Sequence, residues 1–177
     1  MIRKARVTDC KNLAALSIQV WLNTYARDGL NDVVTDYVLN TFTQQYFKEK
    51  LSQPSYQLYV YVENDHLLGF VAVDLCSFCK GDVGGKNSGY EVETLYVQNR
   101  QQGKGVGRAL LEYISAQHDD CYWLTTWVGN VEGLGFYRHI GFEDIGVSYF
   151  ELDGQQHENR VLMYKEKFAQ ALPAEVL

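Results

Sequence analysis

Apolar and polar residues alternate from Ile2 to Arg6, the pattern of a short strand. Thr8 then stands where a helix N-cap is expected, with Asp9 in the first turn. Leu13, Leu16 and Val20 follow at helical spacing, and Ala14, Ile18 and Trp21 add a second stripe, which predicts a largely buried helix that Gly29 and Asn31 break. A second helical stretch is expected over Asp32–Leu51, in one or two pieces, ending before Pro54. Gln57–Glu63 and Leu67–Leu75 read as partner strands around the Asn64-Asp65 turn. Cys79–Ser88 is glycine-rich and polar, so a loop is expected there.

Tyr90–Val97 is the next strand. Val106, Ala109, Leu110, Tyr113 and Ile114 form a helical stripe. Tyr122–Val128 is an almost unbroken apolar run, as in a strand covered on both faces. A helix from Val131 to His139 stops at Gly141, and Phe142–Leu152 with Glu158–Tyr164 reads as a hairpin around Asp153-Gly154. The consecutive strands in the first half suggest an antiparallel meander, whereas the strand–helix–strand unit Tyr90–Val128 must cross over in parallel. The expected class is α/β, with a mixed, mostly antiparallel central sheet flanked by helices. No linker divides the pattern, so residues 1–167 are read as one domain and 168–177 as a mobile tail.

Composition narrows the function more than the fold. The chain of 177 residues carries a formal net charge of −6, which argues against a nucleic-acid partner. No apolar run is long enough to span a membrane, and Met1–Arg6 lacks the apolar core of a signal peptide, so a cytoplasmic protein is expected. Cys76 and Cys79 form a lone C-x-x-C without the second pair of a zinc ribbon, and Cys10 and Cys121 read as small apolar side chains, so no metal is expected.

The most informative segment runs from Val97 to Arg108, between a strand and a helix. Glycines let the backbone turn sharply and approach a ligand, and the unpaired N–H groups of a helix start favour an anion. A phosphate or pyrophosphate suits that place. The dinucleotide spelling G-x-G-x-x-G fails because Arg108 or Leu110 stands where its last glycine belongs. The P-loop spelling fails here, and Gly85-Lys86 copies it only weakly, with Lys80 and Asn87 in two required places.

What fits is Q/R-x-x-G-x-G/A, with Gln102, Gly105 and Gly107. Together with Leu95, Tyr96, Val97, Gly103, Lys104, Val106 and Arg108, this run resembles motif A of the GCN5-related N-acetyltransferases (GNAT). After the buried strand, Asn130 and then Gly135-Phe136-Tyr137 through Gly141-Phe142 resemble motif B of the same family. The resemblance follows the whole chain in element order, and its specific motifs occupy Glu91–Phe142. It implies the GNAT fold, with the parallel strand pair at the coenzyme site, and acetyl-CoA as cosubstrate. It also implies that the turn's amides hold the pyrophosphate, that Asn130 contacts the pantetheine arm, and that Tyr137 protonates the leaving thiolate. The family's oxyanion donor is a backbone N–H near Val97.

An amine near its usual pKa is mostly protonated and cannot attack a thioester, so the reaction needs deprotonation, orientation and oxyanion stabilisation. No Ser-His-Asp or Cys-His pattern is legible, so direct transfer is simpler than an acyl-enzyme. Glu91 and Glu93 alternate on the Tyr90–Val97 strand and are expected on one face with Leu95 and Val97. Two acids there are costly to bury unpaired, and an acceptor cleft explains them. In the resembling family a Glu at the position of Glu91 serves as base, directly or through water. Glu91 is therefore assigned as base and Glu93 as acceptor contact, with pairing to a surface Lys or Arg as the alternative for either.

Trp21, Tyr25 and Asp28 are the candidate acceptor contacts on the first helix and its loop, where aromatic and acidic groups suit an ammonium. Core packing explains Trp21 and Tyr25 equally well. Trp123-Leu124-Thr125-Thr126-Trp127, the Asn130–Phe142 run and Ser148-Tyr149-Phe150 are similar to the polyamine-acetylating branch, which implies spermidine or spermine as the small-molecule acceptor. Aminoglycoside and protein or peptide acceptors stay open, as does a coenzyme-A-binding regulator without turnover. Many relatives dimerise, and the C-terminal hairpin is where a homodimer is expected.

Overall fold

The computed structural model describes residues 1–80, 89–118 and 120–164. Most of the Cys79–Ser88 loop, including Gly85-Lys86, and the tail beyond residue 164 lie outside the described residues. The strands are β1 (Ile2–Lys4), β2 (Tyr56–Glu63), β3 (His66–Asp74), β4 (Tyr90–Val97), β5 (Tyr122–Trp127), β6 (Glu143–Leu152) and β7 (Gln155–Tyr164). The helices are α1 (Cys10–Tyr25), α2 (Asp32–Thr41), α3 (Gln44–Ser52), α4 (Val106–Gln117) and α5 (Val131–His139). Among the described residues the strands form one sheet in the order β1-β2-β3-β4-β5-β7-β6, parallel between β4 and β5 and antiparallel elsewhere.

Local chemistry sets the helix boundaries. The Asn31 side chain accepts from the Val34 amide at 2.9 Å, and Thr43 Oγ1 accepts from the Tyr46 amide at 3.0 Å, so the Asp32–Leu51 stretch becomes two capped helices. Thr8 does not cap α1. It lies in a 3-10 turn, Val7–Asp9, and the Asp9 carboxylate takes both the Arg6 amide (2.7 Å) and the Arg3 guanidinium (2.7 and 2.9 Å).

Among the described residues, the two larger cores cover the two faces of the sheet. Val106, Leu110, Leu111 and Ile114 of α4, with Leu134 and Tyr137 of α5, pack on one face against Tyr59, Val71, Val73, Tyr90 and Val92. Cys10, Leu13, Leu16 and Val20 of α1, with Phe47 of α3, pack on the other face against Leu58, Val60, Phe70 and Ala72. Each such aliphatic side chain contributes about 1.5–3 kcal/mol when fully buried.

Two irregularities shape the site. Ala72 pairs with Thr94, but Val73 pairs with Val92, so Glu93 is an extra residue in a β-bulge of β4. The bulge shifts the phase of the strand. Tyr90 and Val92 before it share the α4 face with Leu95 and Val97 after it, while Tyr96 turns to the α1 face. The expectation that Glu91 and Glu93 share a face with Leu95 and Val97 is thus corrected, because strict alternation fails across a bulge. The second irregularity is the β4–β5 pairing, which covers only Tyr90↔Tyr122 and Glu91↔Trp123. At its base Gly89 (φ +72°) presses so close to Cys121 that a Cβ would lie 1.7 Å from the Cys121 carbonyl oxygen. Beyond Glu91 the parallel strands separate.

Candidate active site between the splayed strands

A cavity of about 640 Å³ fills the opening, within the range of small-molecule sites. Val92–Val97 line one side and Leu124–Thr126 the other. Gln102, Gly103, Gly105, Gly107 and Arg108 close one end, and Asn130, Phe136 and Tyr137 form a further wall. Val20, Asn23, Thr24, Tyr25 and Arg27, from α1 and the turn after it, reach the same cavity from the other face of the sheet.

The glycine-rich turn is built for close backbone approach. Gly103 and Gly105 have φ of +73° and +84°, and nothing lies within 4 Å of a Cβ placed on either. Gly105 is the left-handed residue that starts α4, and the first-turn amides beyond it have no helical acceptors. This open, N–H-rich cradle fits the pyrophosphate of a coenzyme. Gln102 braces the turn through Nε2, which donates to the Val97 carbonyl at 3.3 Å. Lys104 and Val106 belong to the turn but lie outside the cavity lining: Lys104 Nζ donates to Gln101 at 3.2 Å, and Val106 packs into the core. Arg108 pairs along α4 with Glu112 at 2.8 Å.

Asn130 caps α5. Its Oδ1 accepts from the Gly133 amide at 3.2 Å, and its Nδ2 donates to Thr126 Oγ1 at 3.2 Å. The cap fixes α5 against the end of β5 and brings Tyr137 to the cavity. Burial pushes the Tyr137 phenol well above its ordinary value, helped by its neighbour Tyr25, so it stays protonated at neutral pH. The Tyr25 phenol is pushed up to about 12, first by burial and then by Tyr37.

The two strand carboxylates differ in their surroundings. Glu93 lines the cavity, with Oε1 on Lys50 Nζ at 2.8 Å and Oε2 accepting a short hydrogen bond from the Tyr56 hydroxyl. Glu91 lies outside the lining and accepts from the Ser77 hydroxyl. Burial raises its carboxyl above the ordinary value, opposed by the Ser77 hydrogen bond and Lys80 and reinforced by Glu93 and Asp74.

Of the candidate acceptor contacts, Tyr25 lines the cavity, while Trp21 and Asp28 do not. Trp21 is 5% exposed and sits between Tyr25 and Tyr37, with ring centroids 4.7 and 4.8 Å away. Its packing supports the wall rather than meeting a ligand. Asp28 is exposed in the turn after α1.

Sequence reasoning passed over Arg27, Lys50 and Tyr56. Arg27 donates to the Gly129 carbonyl at 2.5 Å and lies 5.2 Å over the Trp127 ring, which ties the α1 turn to the start of α5. Lys50 lies on α3 and Tyr56 opens β2, both remote in sequence from Glu93. Only the tertiary pairing of α3 and β2 beside the bulge reveals them.

A model of the acetyltransferase (GNAT) domain matches residues 54–144, about half of the chain. The chain therefore belongs to the GNAT acetyltransferases and is an acetyl-CoA-dependent N-acetyltransferase. It is 20% identical over 161 residues to an uncharacterized N-acetyltransferase in the pepI 3′ region of Lactobacillus delbrueckii subsp. lactis, covering 89% of this chain and 91% of that one. Its fold is similar to PaiA N-acetyltransferase from Thermoplasma acidophilum in complex with coenzyme A (TM-score 0.71, 18% identity, 94% and 98% of the two chains). It is also similar in fold to an N152L mutant of the spermidine N-acetyltransferase SpeG from Vibrio cholerae (TM-score 0.64, 14% identity, 93% and 92%). No described helix is long and apolar enough to cross a membrane.

Proposed function

We propose that the protein transfers the acetyl group to a primary amine of a small cationic acceptor, of the spermidine or spermine class. The observation that carries this reading is Glu93, a carboxylate on the cavity wall at the β4 bulge, in a lining that also presents the Tyr25 and Tyr96 rings. Tyr25 and Tyr96 are joined through Trp21, Tyr37 and Phe42 by a chain of ring contacts that Trp127 and Phe150 extend. Rings and a carboxylate together favour an ammonium-bearing ligand.

In this reading acetyl-CoA supplies the activated acyl group. The cradle of Gln102, Gly103, Gly105, Gly107 and Arg108 takes its pyrophosphate, with Lys104 and Val106 shaping the turn. The splayed backbone of Leu95, Tyr96 and Val97 faces its arm, opposite Asn130. The Thermoplasma relative is a complex with coenzyme A, which supports acetyl-CoA as the cosubstrate. Tyr137, held protonated by burial, donates its proton to the departing thiolate. Glu91, with its raised carboxyl, takes the acceptor's proton through water, because its side chain stands off the cavity. Glu93 and Tyr25 contact the acceptor.

Thiol release from acetyl-CoA against spermidine, spermine, putrescine, an aminoglycoside and short peptides tests the acceptor class. Turnover confined to the polyamines is the expected result. Turnover with the aminoglycoside or peptides alone reassigns the acceptor, and coenzyme binding without turnover on any amine favours a regulator.

A further inference from the structure

Lys50 reproduces the interaction expected of the acceptor. Its ammonium lies 2.8 Å from Glu93 Oε1, 4.2 Å from the centre of the Tyr56 ring and 5.7 Å from that of Tyr46. The side chains of Lys50 and Glu93 are 20% and 32% exposed, so solvent reaches the pair without dispersing it. Tyr56 contributes twice, its ring facing Lys50 and its hydroxyl holding the second Glu93 oxygen. One carboxylate on the wall of the transfer cavity and two rings behind it, outside the lining, thus form an ammonium cage, and the chain's own lysine occupies it.

Resting on the polyamine reading above, we infer that Lys50 is an internal competitor for a cationic group of the acceptor, and so sets the enzyme's selectivity for diamines over monoamines. The cage stabilises a charged nitrogen, whereas the nitrogen that attacks the thioester must lose its proton. The cage therefore takes the acceptor's second, non-reacting ammonium. Lys50 must move aside first, and the acceptor's apparent affinity falls in proportion to the fraction of molecules in which Lys50 occupies the cage. Lys50 is tethered through the flexible stem of a helix side chain, so it swings to solvent without disturbing Tyr56 or the bulge. A monoamine makes no use of the cage and does not compete.

Putrescine and n-pentylamine test this directly, since they differ only in the far nitrogen. In Lys50→Met, which keeps length and loses charge, the kcat/KM ratio of putrescine over n-pentylamine is expected to rise about fivefold, the upper end of the range for solvent-accessible ion pairs. Calorimetric binding of putrescine to the coenzyme-A-loaded protein should tighten by the same factor. Lys50→Arg should keep the wild-type ratio. In a Glu93→Gln background, Lys50→Met should no longer change it. Melting curves show which variants are folded. An unchanged ratio with ordinary putrescine turnover overturns the role of Lys50 and leaves the acceptor reading standing. Weaker putrescine binding in Lys50→Met also overturns it, because Lys50 would then be supporting Glu93. If no wild-type or variant protein binds or acetylates a polyamine, the acceptor reading fails and this inference falls with it.

Discussion

Gly107 faces Phe136 so closely that a Cβ at 107 would lie 3.3 Å from the Phe136 ring and 3.6 Å from the Val97 side chain. This contact joins the start of α4, the middle of α5 and the end of β4, the elements that surround the coenzyme cavity. A branched side chain there pushes Phe136, and with it the adjacent Tyr137. Gly107→Val is expected to lower stability by about 1–3 kcal/mol, the usual range for overpacking, and to weaken coenzyme A binding. Gly107→Ala should be much milder, since the ring need shift only slightly. Melting curves and coenzyme titration of the two variants check the difference.

Gly105 isolates a backbone effect from a packing effect. Its φ is +84°, yet a Cβ there meets open space. Gly105→Ala should therefore cost about 1–2 kcal/mol through backbone conformation alone. If its melting temperature matches the wild type, the left-handed start of α4 is not required.

Asn130→Ala removes a helix cap and the bridge to Thr126 together. About 1 kcal/mol of stability should be lost with the cap. Asn130→Asp keeps the acceptor for the Gly133 amide and should recover most of it. A separate loss of acetyl-CoA affinity in both variants would trace to the Nδ2 group they lack.

Glu91 gives a pH signature of definite sign. Its folded carboxyl is raised, chiefly by burial, so the folded state binds this proton more tightly than the unfolded chain. Its contribution to stability is complete below the unfolded carboxyl value and is lost as pH rises through the folded one. Glu91→Gln should thus melt above the wild type at neutral pH, with the gap closing as the solution is acidified below the ordinary carboxylate range. A gap that widens on acidification would mean that the charged form is favoured in the fold.

Most of the architecture is written in local patterns. The α4 stripe, the apolar run of β5 and the hairpin around Asp153-Gly154 each carry their own periodicity or turn chemistry, and the element order follows. The cradle is legible for the same reason, because Gly103 and Gly105 are local answers to a local need. The bulge at Glu93 is not local. It arises from how β3 and β4 match registers, and nothing in Glu91-Val92-Glu93-Thr94 marks the extra residue. Lys50, Tyr56 and Arg27 were invisible for a related reason: their partners Glu93 and Gly129 stand far along the chain. Thr8 shows the converse error, a good capping residue overruled because Asp9 holds both Arg3 and the Arg6 amide.

The proposed function rests on a buried, protonated Tyr137 as proton donor in the cavity between β4 and β5. The most direct test is the turnover of Tyr137→Phe, read beside its equilibrium affinity for coenzyme A. A fall in kcat of roughly 100-fold or more, typical of losing a general acid, is expected, with coenzyme affinity nearly unchanged. Wild-type turnover in a folded Tyr137→Phe protein would contradict it.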